Sequence, residues 1–378
     1  MSEFSKHSFI NRPHIHIFLG DIASKGGIER VSVNLANALS SLYPVRLISL
    51  YCSTKEMSFL PGKAVSIDII HNGFEESMYN RSKSLFSGML FDISYINRKS
   101  KELKQRLLID KNTIAICCDV KMALLAKRAG YKKIIAIEHF EYDVINPILK
   151  KIRKLLYKKI NALVTLTSED KDKYAWLSNR QHKIIPNIVD VPEKISDFSL
   201  RDNTVLAVGR LTSQKGFDLL LKAWRKIDSS NWILKIIGDG EDRELLLSFI
   251  NENNMTNVKL LPFTKKIHDE YNHAKIFVLS SRYEGFGMVL VEALAFGMAC
   301  ISYDCPAGPK TILNNNNGIL VEAENVEHLA QALEKLMKDE ALQRTYSEIS
   351  PSSIHNYTEG KVLSEWDMLI KQVANESL

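Results

Sequence analysis

Val205-Leu206-Ala207-Val208-Gly209-Arg210-Leu211-Thr212-Ser213-Gln214-Lys215-Gly216-Phe217-Asp218 reads as a β-rich apolar run, a loop bounded by two glycines and the start of a helix. It stands past the middle of a 378-residue chain and restarts a rhythm that has already run once. Upstream, Ile15–Leu19 reads as a first strand, and Val31, Leu35, Ala38 and Leu39 fall at helical spacing on the element after it. Strands are expected at Val45–Tyr51, Val65–Ile70, Thr113–Cys118, Ile134–Ile137 and Ala162–Leu166. After the restart they are expected at Ile233–Ile237, Val258–Leu261, Ile276–Leu279 and Ala299–Tyr303, with helical patterns at Val326–Lys338 and Gly360–Val373. Strands alternating with helices predict a parallel α/β architecture, and a chain of this length exceeds what one core usually organises. The expectation is two Rossmann-like domains facing across a cleft, where the carboxyl ends of such sheets bind ligands. The boundaries read as 1–190 for an N-terminal Rossmann-like domain and 191–202 for a polar linker, Val191–Asp202. A C-terminal Rossmann-like domain then covers 203–355, and a C-terminal helix, 356–378, is expected to pack back toward the N-terminal domain.

Composition narrows the class. Apolar residues make up 45% of the chain and charged residues 25%, as in ordinary globular proteins. No apolar run approaches the roughly 18–20 residues that cross a bilayer. The opening MSEFSKHSFINRPH lacks the apolar core of a signal peptide, so a cytoplasmic protein is expected. The cysteines, with Cys117, Cys118 and Cys300 in apolar runs, read as small buried hydrophobes and not as metal ligands. A net charge of +6 favours anionic partners without choosing among nucleotide, nucleic acid and lipid.

The strongest chemical signal is Ser281-Arg282-Tyr283-Glu284-Gly285-Phe286-Gly287-Met288-Val289-Leu290-Val291-Glu292-Ala293, with a helix expected to begin near Phe286. Its glycines let a ligand approach the backbone, and the amides near Phe286, Gly287 and Met288 can bind a phosphate or sugar hydroxyls. Glu284 in the loop and Glu292 one turn inside the helix can each hold a vicinal diol. In the quoted Val208–Asp218 loop, Arg210 and Lys215 follow Gly209 at a strand's carboxyl end. Read alone, such charges are more often solvated; at this position they suit a diphosphate, whose departure they would stabilise electrostatically. Gly26-Gly27 opens the first helix as an anion-binding turn. Gly238-Asp239-Gly240 stops short of a dinucleotide fingerprint, so a nicotinamide cofactor is not expected. His139 follows a strand end, and its position weighs for a role near a sugar about as much as base rate weighs for a structural one. Phe263, after Val258–Leu261, is a place where a base could rest, and Asp304–Lys310 forms another strand-end loop.

These pieces, in this order, resemble the family-four retaining glycosyltransferases of the GT-B fold over nearly the whole chain. The most specific part is Glu-x7-Glu at Glu284 and Glu292 with Gly209-Arg210 and Lys215 upstream. Pro186-Asn187 is similar to the family's Pro-Asn-Gly-Val-Asp segment, with Ile188 in place of the glycine. The resemblance implies that Arg210 and Lys215 bind the donor's phosphates and help expel the nucleotide, while Glu292 holds the ribose hydroxyls. It implies that Glu284 and the Phe286–Met288 backbone hold the donor sugar, that Gly26 and Gly27 approach the diphosphate, and that His139 contacts the sugar near the reacting centre. It also implies retention of anomeric configuration, a uridine diphosphate sugar as substrate, no cofactor and no metal, and no Asp-x-Asp metal site is expected. N-acetylgalactosamine, galactose, glucose and N-acetylglucosamine all stay open as donor sugars.

Asn146-Pro147 reads as a cap and first residue of a helix. Ile148, Leu149, Ile152, Leu155, Leu156 and Ile160 form an apolar stripe on it, and Lys150, Lys151, Arg153, Lys154 and Lys158 a basic surface. A core-packed helix with a solvated side and a surface for anionic headgroups or a pyrophosphate-linked acceptor both fit this pattern. The Glu138–Lys171 segment resembles transferases that extend polyprenyl-pyrophosphate-linked oligosaccharides, and Ser302–Lys310 resembles capsule, exopolysaccharide and O-antigen enzymes. The expected partners are a nucleotide-sugar donor, a glycan or lipid-linked oligosaccharide acceptor and an anionic membrane surface, with the enzyme peripheral on the inner face of the cytoplasmic membrane. Nucleic acid is not expected, because the basic residues lack interleaved aromatics. A nucleotide-sugar epimerase of the same fold and a non-catalytic nucleotide- or glycan-binding protein remain open as rivals.

Overall fold

Short apolar runs bounded by turns assemble into two all-parallel sheets in the computed structural model. It describes residues 12–81, 85–139, 142, 143, 145, 147–178, 181–314 and 316–376; the N-terminal Met1–Asn11 and the Asn146 cap expected above lie outside the described residues. The chain divides into two units, one holding residues up to Leu166, Asp170–Ile188 and Val362 onward, the other holding Thr167–Glu169 and Val189–Lys361.

In the first unit the strands are β1 (His14–Asp21), β2 (Val45–Tyr51), β3 (Val65–Ile69), β4 (Thr113–Cys117), β5 (Lys133–Ile137), β6 (Ala162–Thr165) and β7 (His182–Ile184). They lie in the order β3-β2-β1-β4-β5-β6-β7. β4 and β5 are buried along their whole length, so they read as unbroken apolar runs and not as alternating ones. Helices α1 (Gly27–Leu39), α2 (Leu85–Arg106), α3 (Val120–Ala129), α4 (Pro147–Tyr157) and α5 (Ser168–Lys173) connect them. Asp119 caps α3, accepting from the Met122 amide at 2.8 Å, and Gly130 ends that helix in the left-handed region.

The second unit carries β8 (Asp202–Val208), β9 (Ile233–Ile237), β10 (Val258–Leu261), β11 (Ala274–Leu279), β12 (Ala299–Asp304) and β13 (Gly318–Glu322), in the order β10-β9-β8-β11-β12-β13. Its helices are α6 (Phe217–Trp224), α7 (Arg243–Glu252), α8 (Ile267–His273), α9 (Met288–Ala295), α10 (Pro309–Ile312), α11 (Val326–Lys338) and α12 (Glu340–Ser353). Strand order reverses beside the first strand of each sheet, between β1 and β4 and between β8 and β11, and loops at such a reversal form a natural ligand crevice. The stretch read as a polar linker is anchored within the second unit. Arg201 is 5% exposed and donates to the carbonyls of Phe296 at 2.7 Å and Gly297 at 3.0 Å, satisfying the end of α9.

The last helix, α13 (Glu359–Ala374), buries Val362, Trp366, Leu369, Ile370 and Val373 on one face. Polar links join it to the first unit: the Tyr43 hydroxyl donates to Asp367 at 2.5 Å, Lys133 to the Ala374 carbonyl, and Asn161 to Glu376 at 2.8 Å. Trp366 is 2% exposed. Trp366→Ala is expected to cost the first unit about 3–5 kcal/mol, read as lost amide-exchange protection in β5 and β6. Unchanged protection there would contradict the packing described.

Candidate functional site

The loops that follow β8 and β11 leave adjacent strands, whose register pairs Val205 with Ile276 and Leu206 with Phe277. They are laced to one another by backbone and side chain. The Arg282 amide donates to the Gln214 carbonyl at 2.8 Å, Gln214 Nε2 to the Tyr283 carbonyl at 3.0 Å, and Ser280 Oγ to the Lys215 carbonyl at 2.9 Å. Arg282 forks onto Asp218 with two 2.9 Å bonds, and also reaches the Ser213 carbonyl at 2.6 Å and Glu324 at 3.0 Å. Gly216 makes the close approach possible: it has φ +63°, and a Cβ there would sit 2.0 Å from the Ser280 carbonyl oxygen. Gly209 leaves room for the Lys215 stem, whose carbons would lie 3.3–3.4 Å from an added Cβ.

At the centre of this lacing, Lys215 Nζ lies 2.6 Å from Glu284 Oε1. Glu284 is 5% exposed, and its second oxygen, Oε2, has no hydrogen bond among the described residues. Arg210 is exposed, and its guanidinium has no ion pair among the described residues. One cation is therefore held by a carboxylate and the other is free, both at the carboxyl end of β8. The helix expected to begin near Phe286 begins at Met288, with Gly287 as its cap at φ +95°. Phe286 precedes the helix as a buried side chain packed edge-on against Tyr357. Glu292 lies inside α9, 2% exposed, with Tyr271 donating to Oε2 at 3.0 Å. The Phe263 amide donates to Asp239 at 3.3 Å, while the Asp239 carbonyl accepts from the Leu211 amide at 2.9 Å, so the loops after β10, β9 and β8 form one connected rim.

In the first unit Gly26 caps α1 and Gly27 is its first residue; a Cβ on Gly27 would meet nothing within 4 Å, which leaves its approach open. His139 faces a small pocket lined by Val31, Leu35, Ile137, Leu166, Asn187 and Trp366. Its Nε2 is buried there without a partner among the described residues, and burial lowers its pKa to about 4, so the ring is neutral near pH 7. The neighbouring Glu138 is 5% exposed. Burial pushes its carboxyl up to about 7, against the pull of Arg153 and of the Tyr157 hydroxyl that donates to it.

The basic helix departs from expectation. Arg153 is a correction: it is 1% exposed, 3.8 Å from Glu138 Oε2 and 4.0 Å over the Tyr142 ring, so it belongs to the core and not to a basic surface. Lys150 pairs with Asp143 at 2.6 Å, whereas Lys151, Lys154 and Lys158 are exposed. The apolar stripe splits as well. Leu156 and Ile160 are buried, but Ile148 is 48% and Leu155 68% exposed, because only the face carrying Arg153, Leu156 and Tyr157 meets the core. The chain does contain an Asp-x-Asp, Asp170-Lys171-Asp172 on α5, with Asp170 buried and Asp172 exposed; residues two apart on a helix do not share a face.

A family model described as "Glycosyl transferases group 1" matches residues 192–352. An uncharacterized glycosyltransferase of Haemophilus influenzae is 30% identical over 364 residues, which cover 93% of this chain and 98% of that protein. This chain belongs to the group 1 glycosyltransferases. A second relative is a Campylobacter jejuni protein named N-acetylgalactosamine-N,N'-diacetylbacillosaminyl-diphospho-undecaprenol 4-alpha-N-acetylgalactosaminyltransferase. It is 26% identical, over 87% of this chain and 92% of its own. Among solved structures, a TarM mutant of S. aureus, in complex with fondaparinux, alpha-GlcNAc-glycerol and UDP, superposes with a TM-score of 0.76 over 95% of this chain and 99% of that one, at 15% identity. The fold of this glycosyltransferase is GT-B.

Sequence reasoning did not single out the Arg282–Asp218 clasp, Tyr271 or Glu138. Arg282 and Asp218 stand inside the two quoted motifs, and opposite charges in paired loops were the available signal. Titration in the first unit of this glycosyltransferase follows from buried groups. His16, His139 and His182 are each lowered to about 4, chiefly by burial, so their contribution is present above pH 6.5 and is lost as pH falls toward 4. Glu138, raised to about 7, works the other way: its contribution is present below pH 4.5 and fades as pH rises to 7. Three histidines outweigh the two carboxylates that burial raises, Glu138 and Asp119, so stability of this unit should rise between pH 4.5 and 6.5. His139→Leu should remove up to about 1.4 kcal/mol per pH unit from that slope, measured by denaturant unfolding across pH. An unchanged slope would contradict the buried, neutral ring.

Proposed function

We propose that this glycosyltransferase moves a hexose or N-acetylhexosamine, with retention of anomeric configuration, from a UDP-linked donor to a polyprenyl-pyrophosphate-linked glycan in bacterial surface polysaccharide synthesis. The observation that carries the reading is the Lys215–Glu284 pair at the strand-order reversal, with exposed Arg210, which has no ion pair among the described residues, on the same loop. In this mechanism the bond between the anomeric carbon and the phosphate oxygen breaks, and negative charge gathers on the departing diphosphate. Arg210 and Lys215 meet that charge as preorganised cations, and no metal is required of them. Lys215 turns from Glu284 toward the phosphate, and Glu284 then accepts from a sugar hydroxyl through Oε2. Glu292 holds the ribose and the Met288 end of α9 offers amides to the donor; on the first unit, the Gly26-Gly27 turn offers amides to an anion and neutral His139 offers Nε2 to a sugar hydroxyl. The name of the Campylobacter relative, which includes a diphospho-undecaprenol acceptor, supports the acceptor class, and the UDP in the TarM complex supports the nucleotide.

A donor panel, with and without a lipid-linked acceptor extract and read by mass spectrometry, tests this directly. Arg210→Ala and Lys215→Ala should each lower kcat by about 10²–10³-fold. Wild-type transfer rates in either variant would sink the assignment of the phosphate site.

We further propose that the exposed face of α4 docks on an anionic membrane from the cytoplasmic side. Exposed Ile148 and Leu155 stand among Lys151, Lys154 and the following Lys158, the mixture that lies well at a headgroup boundary. No helix of the described residues is long and apolar enough to cross a membrane. Co-sedimentation with vesicles containing anionic lipid should fall at least severalfold when Lys151, Lys154 and Lys158 are changed to Glu, since each basic residue near the surface contributes about 1 kcal/mol. Binding that ignores both the lipid charge and these substitutions would remove the idea.

A further inference from the structure

Two hydrogen-bond donors converge on one oxygen of Glu284. Lys215 Nζ is 2.6 Å from Oε1, and Ser281 Oγ donates to the same atom at 2.6 Å. Ser281 is fully buried, and among the described residues its hydroxyl has no other partner. The adjacent Ser280 spends its hydroxyl on the Lys215 carbonyl and so holds backbone. Ser281 holds a functional group instead.

The two donors differ in what happens when the donor sugar arrives. Lys215 is on a flexible stem and is drawn away by phosphate charge in the function proposed above, on which this inference rests. Ser281 is three residues from Glu284 in a loop fixed by the Arg282–Asp218 fork, so it stays. We propose that Ser281 is the positioning residue of Glu284: its hydroxyl keeps Oε1 in place after the lysine leaves, and so keeps Oε2 turned toward the sugar hydroxyl. A carboxylate freed of both donors would rotate about its terminal torsion, which is broad for such sp³–sp² bonds, and small misplacements at a reacting centre are costly in rate.

The test uses full-length enzyme with the sugar nucleotide that the donor panel selects. Ser281→Ala should lower kcat about tenfold, while the donor KM and the affinity for the free nucleoside diphosphate, measured calorimetrically, stay within about twofold of wild type. Ser281→Thr keeps the hydroxyl and should restore at least half the rate; Ser281→Cys, a weak donor of similar size, should fall between. The cysteine variant also carries the test if the alanine variant fails to fold. A kcat for Ser281→Ala within twofold of wild type overturns the proposal, as does equal loss in all three folded variants. Wild-type enzyme that transfers no sugar from any donor overturns the underlying function and the positioning role with it, whereas an active wild type with an indifferent Ser281 overturns the positioning role alone.

Discussion

A nearly buried lysine–carboxylate pair is the constraint around which the second unit is built. Lys215 and Glu284 are 69 residues apart in sequence and 2.6 Å apart in space. Bringing them together requires β8 and β11 to be neighbours, their loops to be laced, and Gly216 to admit a backbone contact that no side chain could tolerate. Taking two such charges out of water repays little in stability. The arrangement makes better sense as stored positioning: a cation held ready by a partner that can release it to a stronger anion.

The parts around the pair divide the work. The Arg282–Asp218 fork and the Gln214 bonds set the spacing of the loops, and Arg201 closes the far end of α9. These groups have their bonds within the protein. Arg210 has no ion pair and Glu284 Oε2 no hydrogen bond among the described residues, and the amides at the start of α9 are left over by helix geometry. The bonded groups of these loops form the frame, and Arg210 and Glu284 Oε2 are left for a ligand. In the first unit, Glu138 accepts from Tyr157 and lies 3.8 Å from Arg153, while His139 Nε2 has no partner among the described residues.

The strands were legible because parallel strands covered on both faces carry short runs rich in apolar, β-branched residues; β2, β9 and β10 fall where the reading placed them, although each run includes a basic residue. β7, only His182–Ile184, carries too few residues to show a pattern, and β13 follows an Asn-rich run that gives no period. The long α2 was missed because its apolar residues are diluted by polar ones along twenty-two positions. In the candidate site, Lys215 and Glu284 were legible as charged residues in loops after strands, and Glu292 by its Glu-x7-Glu spacing, which places it inside the helix that follows. Arg153 could not be placed, since in sequence it is one more basic residue among lysines. Its burial depends on Tyr142, Tyr174 and Glu138, which no local spacing reveals. Ser281 was likewise hidden, because a serine says nothing of its partner until the loop is folded.

The claim that these features serve one end, the gripping of a departing nucleoside diphosphate, can be examined most directly by a crystal structure with a nucleoside diphosphate bound. Phosphate oxygens should lie within hydrogen-bond reach of both Lys215 Nζ and the Arg210 guanidinium, with the Lys215–Glu284 bond broken and Ser281 still on Oε1. A nucleotide bound elsewhere, with Lys215 still paired to Glu284, would contradict it.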